Sequence, residues 1–215
     1  DALPIFGAIT RKDARIPEGR KYHGSELKKP EAKAAWAAVD TLAKKSIYLR
    51  REFYVAKKVK DATAYVCGLG FYEFSLNGEK VGDSEFAPLW SDYDKSVYYN
   101  TYDVTSQVKK GGNAIGVLLG NGFYNVQGGR YRKLQISFGA PTLRFRMVVN
   151  YEDGTCETIV SGKDWKYDFS PVLFNCIYGG EDYDARREQK GWNMFGFKEQ
   201  DWRPVVIQEA PKEIG

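Results

Sequence analysis

Tyr72-Glu73-Phe74-Ser75-Leu76-Asn77-Gly78-Glu79-Lys80-Val81 is the stretch whose reading decides the fold. Tyr72 to Leu76 reads as a short strand, and Asn77-Gly78 supplies the two positive φ angles that a type I′ hairpin requires before the chain returns through Lys80-Val81. Working outward, the same alternation of β segment and turn signal continues. Ile47 to Val55 and Ala62 to Cys67 read as strands upstream; Val97 to Val104, Asn113 to Leu119, Leu143 to Asn150 and Cys156 to Val160 read as strands downstream. Lys109-Lys110-Gly111-Gly112-Asn113 and Glu152-Asp153-Gly154 are short connections between them. No helices of 10 to 15 residues alternate with these strands, which argues against a parallel α/β sheet and for two packed antiparallel sheets. The expected fold is all-β, a jelly-roll-like antiparallel β-sandwich over residues 46–205.

Residues 1–45 form an N-terminal extension of different character. Pro30 followed by the alanine-rich run around Trp36 predicts one short helix from about 31 to 43, with Trp36 as its packing anchor. Residues 206–215 read as a C-terminal linker. Between Gly120 and Gly139 lies an aromatic, glycine-rich and polar segment, and long loops on a rigid β scaffold are where binding tends to reside.

Composition narrows the function. The 215 residues carry a net charge of +4 from 32 basic and 28 acidic side chains that are dispersed along the chain, not gathered on the stripe that nucleic-acid binding needs. No nucleic-acid partner is expected, and with no run of 18 apolar residues no membrane span is expected either. Cys67, Cys156 and Cys176 are three, cannot all pair within one chain, and lack metal or redox spacing. His23 is the one histidine and stands in the extension, which removes histidine-based triads and metal sites from the sandwich.

Paired carboxylates are what glycoside hydrolysis needs, and Glu181-Asp182-Tyr183-Asp184 with Asp92 and Asp94 offers candidates. On a strand, Asp182 and Asp184 would point to one face side by side and leave no gap for a sugar; pairing with Arg186 and Arg187 or facing solvent is the simpler reading. No catalytic residue is assigned. Trp90-Ser91-Asp92-Tyr93-Asp94 could supply oxygen ligands to Ca²⁺, although a surface turn explains it as well. Trp90, Asn121, Tyr124 and Asn125, with Phe123, Gln127 and Tyr131 nearby, supply the flat faces and amides of a carbohydrate site. The competing reading is that Trp90 and Phe123 cap the core.

Gly70 to Gly82, Pro88-Leu89-Trp90, Tyr99 to Thr105, Gly111 to Tyr124, and Tyr178 to Arg186 with Gly191-Trp192 together resemble the N-terminal β-sandwich domain of bacterial α-L-rhamnosidases. The resemblance spans roughly residues 47–205, and the family's usual tryptophan is replaced by Phe123. It implies a parent glycosidase that is periplasmic or extracellular and works by an inverting route in a separate (α/α) barrel. That barrel and the other domains of the parent are the implied partners, a rhamnose-containing glycan is the implied ligand, and no cofactor other than Ca²⁺ is suggested. The expected role is therefore a non-catalytic accessory domain that supports the barrel and contacts sugar, against an independent carbohydrate-binding module or a complete glycosidase.

Overall fold

A computed structural model describes residues 5–6, 21–23, 45–126 and 134–207. The helix expected over 31–43, Trp36, Gln127 and Tyr131 lie outside the described residues. The strands in chain order are β1 (Ile5–Phe6), β2 (Lys21–His23), β3 (Ile47–Val55), β4 (Val59–Leu69), β5 (Tyr72–Leu76), β6 (Glu79–Lys80), β7 (Asn100–Asp103), β8 (Gly111–Leu119), β9 (Asn125–Val126), β10 (Leu134–Ser137), β11 (Thr142–Tyr151), β12 (Cys156–Val160), β13 (Lys166–Phe169), β14 (Val172–Cys176), β15 (Gly180–Tyr183), β16 (Arg203–Pro204) and β17 (Val206–Ile207). Every pairing is antiparallel. Among the described residues no helix is long and apolar enough to cross a membrane.

Two six-stranded sheets make the sandwich. One runs β17-β1-β11-β4-β7 with β12 also on β11; the other runs β16-β13-β3-β8-β5-β6. The inward positions of both follow the period of two. Leu143, Phe145, Met147 and Val149 from β11 and Ala62, Ala64 and Val66 from β4 meet Leu49, Phe74, Ile115, Val117 and Leu119 from the facing sheet in one apolar core. Trp165 is fully buried in it and donates its indole N–H to Val160 O at 2.9 Å, so its polar atom is satisfied.

The expected hairpin forms: Asn77 has φ 54° and Gly78 φ 87°, and Ser75 and Leu76 pair with Lys80 and Glu79. The segment Gly120 to Gly139, expected as a loop, is partly structured, because β9 and β10 pair with each other and β10 pairs with β2. The extension therefore contributes strands, and β17 falls within the stretch expected as linker.

After β15 the chain turns at Asp184, whose carboxylate caps a single 3₁₀ turn at Ala185–Arg187 by accepting from the Arg186 amide. It then crosses the outer face of β3 as a strap. Trp192 stacks on Tyr48 at 4.0 Å, Trp202 lies 6.3 Å from the same ring, and the Trp202 indole donates to Gln189 Oε1 at 2.8 Å. Beneath it Arg50 is fully buried, paired with Glu52 at 2.6 Å and with Glu199, and donating to Met194 O at 3.0 Å. A buried guanidinium costs several kcal/mol in solvation, so roughly that much must be returned by its partners.

Candidate functional site

One end of the sandwich gathers four separate connections: Phe71 before β5, the 81–99 loop, the Gly120–Tyr124 turn after β8, and the β14–β15 hairpin. Close backbone approach makes this possible. Gly70, at φ 120°, faces Gly120, and a Cβ there would overlap the Gly120 carbonyl oxygen; Gly120 in turn donates to Phe71 O at 2.8 Å.

The four residues expected to bind sugar do not share one surface. Asn121 is 1% exposed and Asn125 is fully buried. The Asn121 amide donates to Asn175 Oδ1 at 2.8 Å, its side-chain NH₂ donates to Asn175 O at 3.1 Å, and Asn125 Nδ2 donates to Asn121 Oδ1 at 2.9 Å. These amides tie the β8–β9 turn to β14. Tyr124 is also buried; its hydroxyl donates to Phe138 O at 3.2 Å, and its ring meets Tyr93 edge-on at 5.2 Å. Burial pushes the Tyr93 hydroxyl up to about 12, chiefly by desolvation. Only Trp90 faces solvent, at 61% exposure, with its ring 5.4 Å from Phe123.

What surrounds Trp90 is an aromatic patch. Phe123 contacts Phe71 at 6.0 Å and Tyr178 at 5.9 Å, and Phe71 contacts Phe86 at 5.4 Å. Phe86, Leu89 and Tyr178 are 67%, 77% and 48% exposed. Phe86 also holds a φ of 55°, a strained angle for a bulky residue. Sequence reading assigned none of Phe71, Phe86, Leu89 and Tyr178 to a site; the signal available was the apolar run Phe86-Ala87-Pro88-Leu89-Trp90 inside a loop. Beside the patch a groove of about 350 Å³ is lined by Phe71, Phe86, Ile177 and Asn175 and by the carboxylates Glu73, Glu85 and Glu181. Glu73 and Glu85 share one ammonium, Lys80 Nζ, at 3.6 and 2.9 Å.

At the Trp90–Asp94 turn the Asp92 carbonyl accepts from the Lys95 and Ser96 amides, while its carboxylate accepts from the Asp94 amide at 3.4 Å and pairs with Lys95 at 3.1 Å. What this offers a hard cation is an engaged carboxylate in a closed turn, and among the described residues no three His, Cys, Asp or Glu side chains converge as ligands. Asp184 pairs with Arg186 at 2.8 Å and Arg187 at 3.6 Å. That guanidinium partner, Arg186 first, holds its carboxyl below the usual range.

Residues 57–214 match the family described as the alpha-L-rhamnosidase N-terminal domain. An alpha-L-rhamnosidase of Formosa agariphila is 43% identical over 159 residues, 72% of this chain and 17% of that protein. The crystal structure of the Streptomyces avermitilis enzyme complexed with L-rhamnose superimposes with a TM-score of 0.72 at 40% identity, covering 77% of this chain and 16% of that one. The Aspergillus terreus alpha-L-rhamnosidase gives a TM-score of 0.78 at 32% identity over 99% of this chain and 22% of its own. The chain thus spans about a fifth or less of the relatives it matches. With the sandwich topology and the match over 57–214 in agreement, this chain belongs to the α-L-rhamnosidase N-terminal domain family.

Proposed function

We propose that this chain is a non-catalytic accessory domain of a longer α-L-rhamnosidase, and that its aromatic patch seats it against the rest of that enzyme. The carrying observation is the contrast at one end of the sandwich: Asn121, Asn125 and Tyr124 turn inward, while Phe86, Leu89, Trp90 and Tyr178 stay exposed together. Contiguous exposed aromatics of this kind mark an interaction surface. The small share of the relatives' length that the chain spans means that most of such a protein lies elsewhere and is available as the partner. Hydrolysis by the chain itself is not part of the reading. Inverting hydrolysis needs two carboxyl groups facing each other roughly 6.5 to 9.5 Å apart across a sugar, and Glu73 and Glu85 instead share Lys80.

The test is to graft the chain in place of the equivalent domain of the Streptomyces avermitilis enzyme. A Phe86→Asp, Leu89→Asp pair should lower the melting temperature of the graft while leaving the isolated chain's unchanged. Equal melting of both grafts removes the docking reading.

Sugar contact is a second reading, favoured by the exposed Trp90 ring beside the 350 Å³ groove. An indole face covers the apolar side and methyl of a deoxy sugar, and the Glu181 carboxylate stands within the groove for its hydroxyls. Such a shallow site should bind L-rhamnose with a Kd of about 1 mM, or about −4 kcal/mol. Tryptophan fluorescence titration with and without Ca²⁺, with D-glucose as control and Trp90→Ala as the loss variant, decides it.

A further inference from the structure

The groove beside the aromatic patch has an acidic rim. Glu73 on β5, Glu85 in the 81–99 loop and Glu181 on β15 line it together with Phe71, Phe86 and Ile177, and among the described residues no cationic side chain lines it. Lys80 reaches Glu73 at 3.6 Å and Glu85 at 2.9 Å from outside the lining, so one ammonium serves two carboxylates. Glu181 is exposed and has no ion-pair partner among the described residues. Rings and acids therefore meet on one concave surface that carries an excess of negative charge.

Where the chain leaves the fold bears on what can reach this groove. Ile207 pairs with Ile5, Ile5 with Leu143, and Leu143 with Gly68, two residues before Gly70. Three strand spacings of about 4.8 Å put the exit at Ile207 roughly 14 Å from the end of β4 that leads into Phe71. A longer polypeptide continuing from there is tethered close to the groove, and such a tether holds its other surfaces at an effective concentration of roughly the millimolar range.

We infer that the groove takes an arginine side chain from another domain of the same longer polypeptide, as the charged centre of the docked face. The inference deepens the docking reading and rests on it. A guanidinium is planar, presents paired N–H donors to the two oxygens of a carboxylate, and stacks on aromatic rings, so one group meets both Glu181 and Phe86. The compact ammonium of lysine is more strongly hydrated and gains less from the rings. A neutral deoxy sugar covers the rings but leaves the carboxylates uncompensated. The same properties enrich arginine among the residues that carry interface energy.

An NMR titration of the isotope-labelled chain with N-acetyl-L-arginine amide tests the chemistry. N-acetyl-L-lysine amide serves as a cation of equal charge and N-acetyl-L-glutamine amide as the neutral control. Amides of Phe86, Ile177 and Glu181 should shift with the arginine derivative, with a Kd on the order of 10 mM that weakens as salt is raised. The lysine derivative should bind about three-fold or more weakly than the arginine derivative. Glu181→Gln, at an exposed position, should weaken the arginine derivative by about three-fold or more without changing the melting temperature. In the Streptomyces avermitilis graft the same substitution should lower the melting temperature, and by less at high salt. The inference is overturned if the arginine derivative shifts none of these amides, if either control binds as tightly, or if Glu181→Gln binds as the parent does. It also falls, with docking left standing, if the Glu181→Gln graft melts with its parent while the Phe86→Asp, Leu89→Asp graft melts lower. If all three grafts melt together, the docking reading and this inference fall at once.

Discussion

Gly78 follows Asn77 with both at positive φ, and a side chain at Gly78 would also press within 3.2 Å of Met194 Cγ. Gly78→Val is expected to lower unfolding stability by about 1 kcal/mol or more. Gly70→Ala should cost more, about 2 kcal/mol or above, since the new Cβ meets backbone that cannot rotate away. Urea denaturation of the two variants against the parent measures both, and an unchanged midpoint for Gly78→Val would remove the turn as a determinant. Arg50 obeys a different logic. Its guanidinium is fully buried, whereas Glu52 keeps a bond from the Gly196 amide at 2.9 Å and Glu199 keeps Lys166 at 2.5 Å. Removing both acids as Glu52→Gln, Glu199→Gln strands the cation and should cost about 3 kcal/mol. Adding Arg50→Met to that pair should recover part of the loss, which a thermodynamic cycle reads directly. A triple variant less stable than the double would show that the guanidinium contributes mainly through its stacking on Phe197 and Trp202.

Among the elements, the strap after Asp184 holds the outer face of β3 out of water. Trp192→Ala removes a ring stacked at 4.0 Å on Tyr48 and should cost about 2 to 3 kcal/mol. Calorimetry checks this, and a loss below the error of the measurement would mean the strap is decoration. The elements also show what was legible in the sequence. The strands Ile47–Val55, Tyr72–Leu76 and Cys156–Val160 end where their turn signals place them. Lys166–Phe169, Val172–Cys176 and Gly180–Tyr183 went unread, because they are four or five residues long, are broken by Pro171 and glycines, and show no clean alternation of burial. The site was harder still. Nothing near Asn121 in sequence says that its amide is taken by Asn175, 54 residues on, and an asparagine reads alike whether it meets a sugar or a strand end. The aromatic residues were partly legible: Trp90 was singled out, but its companions Phe86 and Leu89 sat in a loop where apolar residues were not weighed.

For the whole molecule, the sandwich serves as a rigid frame that presents an apolar, aromatic surface at one strand end. Purified chain is expected to give no turnover of aryl α-L-rhamnosides above buffer; activity that persists through purification and vanishes on mutating Glu181 would contradict that. The frame has one more property. Ile5 pairs with Ile207 and Phe6 with Val206, antiparallel, so chain arriving at residue 5 and chain departing from residue 207 stand side by side on one edge. A longer polypeptide could carry this unit as a side branch, its path continuing almost from where it was interrupted. Tension between the two flanks would then load the β1–β17 pair one bond at a time from its open end, like a zip, before it reached the inner strands of that sheet.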